Sequence, residues 1–277
     1  MRLGYHTNSL QNHRLADALT LLQEHGYGAI AITPDTCHVD PFAVTDGELD
    51  ELARRLRDLD LVPVIETGAR FLLDPRHKHE PTLMTRDAAA RRRRLDFYER
   101  CGVIGARLGA AVVSFWAGID RAPGDDSDDL LLEGVAATCR RIRASGLEPA
   151  LEPEPDMAVE TVADWHRVRD ALGADAPRLT LDIGHLYAVW EGEPATIVRN
   201  NSAFLSQVHL EDMRRGVHEH LLPGTGEVAF EAVLGALQEG GYGGPVCFEL
   251  ARSSHCAPTA LATCRQLWDR CVRPSER

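Results

Sequence analysis

Glu152, Asp182, His209 and Glu249 are the side chains of this sequence best suited to hold a divalent cation. Each closes a short apolar run: Ala150-Leu151 before Glu152, Leu179-Thr180-Leu181 before Asp182, Gln207-Val208 before His209 and Val246-Cys247-Phe248 before Glu249. Each run then gives way to a loop rich in Gly, Pro or charge. Three carboxylates and one imidazole form an oxygen-rich donor set, which suits Mn²⁺, Mg²⁺ or Co²⁺ and also admits Zn²⁺. One such residue alone reads as a capping or salt-bridged group at a loop start. Four of them, at spacings of 30, 27 and 40 residues, read as one ligand per consecutive structural unit and predict a site for one metal ion.

The units that must position them alternate from end to end. Strands are expected at Leu3 to His6, Ala29 to Thr33, Val62 to Glu66, Ala111 to Phe115, Pro149 to Glu152, Leu179 to Asp182, Gln207 to Leu210 and Pro245 to Leu250. They are short and rich in Val, Ile and Leu on both faces, as parallel strands covered on both sides are. Between them lie stretches of helical period, among them Leu15 to His25, Glu48 to Leu59, Leu130 to Ala144 and Phe230 to Glu239, the last ending at Gly240-Gly241. Eight strands alternating with eight helical segments predict an α/β fold of the closed (β/α)8 TIM barrel type, a single domain over residues 1–277. The Gly-rich phosphate turn of an open dinucleotide-binding sheet is absent after the first strand. In such a barrel the C-terminal strand ends share one rim, and the four ligands meet there.

Composition narrows the partners. The chain has 277 residues, 42 acidic against 30 basic, and a formal net charge of −12. That sign opposes phosphate-backbone binding, so no nucleic-acid partner is expected. The seven cysteines are odd in number and form no C-x-x-C, which points to reduced thiols and a cytoplasmic location. The opening residues Met1 to His6 carry no long apolar region, and no run reaches the 18 or so apolar residues of a membrane helix, so no leader and no membrane partner are expected.

The segments Ala-Leu-Glu-Pro (150–153), Leu-Asp-Ile-Gly-His (181–185), Val-His-Leu-Glu-Asp (208–212), Leu-Pro-Gly-Thr-Gly-Glu (222–227) and Phe-Glu-Leu (248–250) resemble the signatures of the xylose isomerase-like TIM barrels. These are sugar and sugar-phosphate isomerases and epimerases, together with hydroxypyruvate isomerases, inosose dehydratases and endonuclease IV-type nucleases. The resemblance implies that Glu152, Asp182, His209 and Glu249 bind the metal, and that Glu152 and Glu249 are the catalytic acid–base pair. It implies a substrate contact for His185, three residues after the Asp, and for Arg215, six after the metal His. It also implies a homodimer or homotetramer. Six residues beyond the first metal Glu the epimerases carry a substrate-binding Glu, whereas Ala158 stands here; Glu154 and Glu160 are the nearby replacements.

The chemistry implied is proton transfer next to a carbonyl in a small polyhydroxy carbonyl compound, with a chelated cation stabilising the enediolate. A lyase that expels a β-substituent from the same intermediate is the alternative. An endonuclease would need further His and Asp ligands and a basic surface, for which His6, Glu66 and a net charge of −12 are a poor match.

Other residues are expected near the mouth. His6 ends the first strand, Glu66 the third, Trp116 follows the fourth, and His218 and His220 precede Pro223-Gly224-Thr225-Gly226; of the two histidines, His220 is taken as the substrate neighbour. The polar loop from Gly68 to Arg86 reads either as a cover for the substrate or as a mobile surface segment. The acidic stretch Gly118 to Asp129 reads as a solvated turn. The runs Arg91-Arg94 and Glu51 to Arg57 read as solvated helix faces.

Overall fold

The structure, a computed structural model, describes residues 1–272. Eight parallel strands close into a barrel: β1 (Arg2–His6), β2 (Ala29–Ile32), β3 (Val62–Glu66), β4 (Val112–Phe115), β5 (Glu148–Leu151), β6 (Arg178–Asp182), β7 (Leu205–Leu210) and a last strand, Pro245–Phe248. Strands adjacent in sequence are neighbours around the ring, and the last strand pairs with both β7 and β1 to close it. The α/β barrel expected from the alternation is therefore present.

Two departures lie inside the repeat. A short antiparallel hairpin, β8 (Asp212–Arg214) and β9 (Val217–Leu221), is inserted after β7, so the barrel-closing strand is β10. Nine α-helices, rather than eight, occur among the described residues, because β6 is followed by two: α6 (Ile183–Val189) and α7 (Pro194–Asn201). The others are α1 (Leu15–Glu24), α2 (Asp46–Asp58), α3 (Ala88–Leu108), α4 (Ser127–Ala144), α5 (Val162–Leu172), α8 (Phe230–Glu239) and α9 (Ala257–Cys271).

The two-residue alternation of each strand divides the core. Outward residues such as Tyr5, Ile30, Ile65, Val113, Leu151 and Phe248 pack under the helices in one large apolar cluster. Inward residues lower in the barrel are small: Ala31, Val64, Val112, Ala150 and Cys247 form a separate buried cluster. At Gly4 an added Cβ would run into the Cys247 sulfur, so this strand must carry glycine there. One step further toward the C-terminal rim, the same inward rows carry His6, Glu66, Ser114, Glu152, Asp182, His209 and Glu249. A barrel filled by small side chains below leaves polar ones grouped above it.

The loop between β3 and α3 is fixed to the barrel. Arg94 of α3 is fully buried; its Nε donates to the Pro81 carbonyl at 2.7 Å and its guanidinium lies 4.7 Å from the Trp116 ring centroid. Arg94 also donates to the His79 carbonyl. The solvated-face reading of Arg91-Arg94 is therefore wrong for Arg94. Four consecutive helical residues point around most of the helix, so one of them had to face inward, and Arg94 shares its stripe with Phe97, Tyr98 and Cys101. Glu51 and Arg54 of α2 are exposed and paired with one another, as expected. No helix among the described residues is long and apolar enough to cross a membrane.

Candidate active site

The four strand-end residues converge. His209 Nδ1 lies 2.8 Å from Glu152 Oε1, 3.7 Å from Glu249 Oε2 and 4.0 Å from Asp182 Oδ2. Register produces this: Asp182 pairs with His209 across β6 and β7, and Cys247, two residues before Glu249, pairs with His209 across β7 and β10. Asp182 also begins α6, where its Oδ1 accepts the His185 N–H at 3.0 Å, leaving Oδ2 directed at the centre. Asn8, in the turn after β1, donates to Glu249 Oε1 at 2.8 Å and is itself oriented by the Ser9 hydroxyl.

Around this point the barrel buries polar atoms that find no protein partner: Asp182 Oδ2, both His6 ring nitrogens, His185 Nε2, Gln207 Oε1 and both Glu211 carboxyl oxygens. Such orphans are rare in folded proteins, and a bound ion is one reason for them. Burial pushes the Glu66 carboxyl up to about 8, with the Glu249 charge adding to the effect. Burial likewise holds Glu154 and Glu211 well above the usual carboxylate range, reinforced by Glu152 and Asp182 respectively. Burial alone would push His209 down, but the adjacent Glu152 carboxylate carries it up to about 10. His6 goes the other way, to about 3, because burial outweighs the attraction of Glu249. Carboxyls that resist ionising beside an imidazole that holds its proton describe an excess of negative charge, which a divalent cation would offset. Glu152, Asp182, His209 and Glu249 therefore fit a cation by donor type, by convergence and by charge.

Above the four lies an open cavity of about 530 Å³. Glu152, Glu249, Glu66, Trp116, His185 and His220 all line it, so six expected site residues reach the mouth. His185 Nδ1 donates to the Pro153 carbonyl at 3.1 Å and His220 Nδ1 to the Glu249 carbonyl at 3.1 Å. Since a carbonyl only accepts, each ring presents the opposite nitrogen, Nε2, to its surroundings. His218 completes this wall, its Nε2 3.3 Å from His220 Nε2. Glu154, the nearer replacement for the absent Glu at position 158, lines the cavity, 3.7 Å from His185 Nε2. Glu160 instead accepts the Asp156 backbone N–H.

Two expected substrate contacts are placed elsewhere. Arg215 lies in the hairpin turn, its guanidinium 3.2 Å from the Trp190 ring centroid, outside the cavity lining. His6 is fully buried beneath the mouth, 3.8 Å from Glu249 Oε2 and stacked edge-on with His209. It packs beneath the convergent residues and does not line the open cavity.

Three residues of the site were not anticipated. Gln207 sits 2.6 Å from His209 Nε2, on the ring edge away from the carboxylates; its place two residues before His209 on one strand was a readable signal. Asn8 gave none, since a polar residue after a strand is ordinary. Glu211 also lies two residues from His209, but its carboxyl points at Asp182 and α6. There Gly184 makes room: a Cβ at that position would collide with Glu211 Oε1.

Residues 19–267 match the sequence profile of the family described as xylose isomerase-like TIM barrels. The chain belongs to that family. In sequence it resembles inosose dehydratase from Lacticaseibacillus casei, 26% identical over an alignment of 142 residues, with 45% of this chain and 47% of that one covered. It thus aligns with about half the length of the curated relatives it matches. In fold it resembles a D-allulose 3-epimerase from Methylomonas sp., with a TM-score of 0.78, 16% identity and 98% of both chains covered. It also resembles an IolI protein that carries a bound zinc atom, with a TM-score of 0.77, 21% identity and 97% of both chains covered.

Proposed function

We propose that this family member is a divalent-metal-dependent isomerase or epimerase of a small polyhydroxy carbonyl compound. One observation carries the reading: Glu152 and Glu249 approach the same His209 Nδ1, at 2.8 and 3.7 Å, and both line the open cavity. A cation held by Glu152, Asp182, His209 and Glu249 would polarise a substrate carbonyl and stabilise negative charge developing on its oxygen. The protein's own groups supply the proton steps. A carboxylate on one side of the substrate takes the proton from the carbon next to the carbonyl and becomes a carboxylic acid, while a carboxyl on the other side that is already protonated gives its proton to that carbon and becomes a carboxylate. In this reading Glu152, at the end of the fifth barrel strand, and Glu249, at the end of the last, take those two roles. His185 and His220 present Nε2 to the substrate oxygens, and Trp116 forms an apolar wall.

Assaying ketoses and inososes with and without EDTA tests this reading. Isobaric products that vanish on chelation support it, whereas turnover that survives exhaustive chelation refutes it. The lyase reading has its own support in the sequence similarity to inosose dehydratase. Loss of water from the substrate would select it.

A further inference from the structure

The chain uses arginine at 29 of its 30 basic positions; the single lysine is Lys78. That lysine lines the cavity, together with Arg70. Among the described residues neither side chain makes a hydrogen bond or an ion pair. Other arginines of this rim are taken up by carboxylates: Arg252 pairs with Glu219 at 3.0 Å and Arg121 with Glu80 at 2.7 Å. The free pair is also held in place. The His79 N–H, next to Lys78, donates to the Arg70 carbonyl at 2.7 Å, and His79 Nδ1 donates to the Gly68 carbonyl at 2.7 Å. Buried Arg94 then ties the His79 and Pro81 carbonyls to α3. Ala69, Arg70 and His79 have φ values of 54°, 39° and 69°, in the left-handed region that non-glycine residues avoid. Such strained backbone is found where the surrounding structure imposes it, often at ligand sites.

A neutral sugar would not need two unpaired cations above an acidic floor. An anion would, because the ionised carboxylates below and a net charge of −12 repel it. An ammonium and a guanidinium also divide the work: Lys offers a compact point charge and Arg a planar fork that matches carboxylate or phosphate oxygens. We propose that Arg70 and Lys78 form a subsite for an anionic end group, a carboxylate or a phosphate, on the substrate of this cavity. The proposal rests on the function proposed above, because it assigns one end of that reaction's substrate.

Because Lys78 is the only lysine, an amine-acylating reagent reads the subsite directly. Acetylation of Lys78 is followed by mass spectrometry on the metal-loaded protein, with the Met1 amine as internal reference and inorganic phosphate, D-gluconate or neutral D-sorbitol as probes. Protection of Lys78 at least fivefold by phosphate or gluconate, absent with sorbitol and lost in Arg70→Gln, supports the subsite. Protection by phosphate alone assigns a phosphate ester, and by gluconate alone a sugar acid. Equal rates with all three probes overturn the proposal. A second readout uses D-fructose 6-phosphate and D-fructose: in Lys78→Met the kcat/KM ratio of ester to free ketose should fall at least tenfold. An unchanged ratio overturns the subsite. A protein that shows protection but turns over none of these two ketoses, D-allulose and an inosose keeps the subsite and contradicts the isomerase reading, so the two fail separately.

Discussion

His209 is held at both ring nitrogens: Nδ1 lies 2.8 Å from Glu152 Oε1, and Nε2 lies 2.6 Å from the Gln207 side-chain amide. A histidine that ligates through Nδ1 carries its proton on Nε2, and an amide can turn its oxygen to accept that proton. The neighbour that fixes a ligating imidazole's tautomer contributes to metal affinity much as the ligand does. Gln207→Leu should therefore weaken Mn²⁺ binding by about 10-fold to 100-fold while leaving the barrel folded. Titration calorimetry on the two proteins checks it; equal affinities would make Gln207 a packing residue only.

Glu249 is oriented by Asn8 and faces both the ligand group and the cavity. Replacing it with Gln keeps its size and its hydrogen bond with Asn8 possible but removes a proton acceptor. Glu249→Gln should retain the wild-type circular dichroism spectrum and lose about 10²-fold to 10⁴-fold in turnover. Near-wild-type turnover would remove Glu249 from the mechanism.

Without metal, the site stores protons. Glu66 stays protonated to about pH 8 and His209 to about 10. The sign follows for each. Glu66 is raised above its unfolded value of 4.5, so its stabilising contribution is whole below that value and lost as pH rises through about 8. His209, raised from 6.5, contributes fully below 6.5 and loses its contribution as pH approaches 10. The metal-free protein should therefore be less stable at pH 9 than at pH 6. Metal binding must displace the His209 proton, so affinity should rise by up to about tenfold per pH unit for each proton released. Calorimetry in buffers of different ionisation enthalpy counts those protons; none released would contradict the ligand assignment.

Arg94 is a buried cation that satisfies loop carbonyls and lies against Trp116. Arg94→Met fills similar space but leaves those carbonyls unpaired, at a cost of about 1–3 kcal/mol for each one buried. Limited proteolysis should then cut the variant between residues 68 and 86 faster than wild type. Unchanged cleavage would mean that other contacts hold the loop.

Asp212 organises the turn after the hairpin. One of its oxygens accepts the backbone N–H groups of Gly224, Thr225 and Gly226, and the other those of Met213 and Val228. Asp212→Ala should destabilise the protein by about 3 kcal/mol, since it leaves several donors of a charge-assisted set without their acceptor. Chemical denaturation measures this, and a loss below about 0.5 kcal/mol would contradict the role.

The convergence of Glu152, Asp182, His209 and Glu249 was legible because it obeys the strictest local rule: inward positions recur every second residue, and a strand's last inward residue meets the rim. Gln207 obeys the same rule and could have been read with it. The helix α6 was missed because Asp182 both ends β6 and caps the helix, and seven residues are too few to show a period. Arg215 was placed by motif spacing alone, and the hairpin that carries it turns its side chain onto Trp190. That Arg94 faces inward follows from its stripe with Phe97, Tyr98 and Cys101, but the carbonyls that satisfy its charge belong to the preceding loop, a tertiary fact that helical pattern does not encode.

Metal-dependent proton transfer beside a carbonyl is read most directly by hydrogen–deuterium exchange. Proton NMR in D₂O would follow Mg²⁺-loaded protein with D-allulose, D-fructose and an inosose. At least one of them should lose one carbon-bound proton signal, at a rate that drops to background after EDTA and returns when Mg²⁺ is restored. Exchange that continues unchanged without metal would contradict it, as would no exchange across the panel with the metal demonstrably bound.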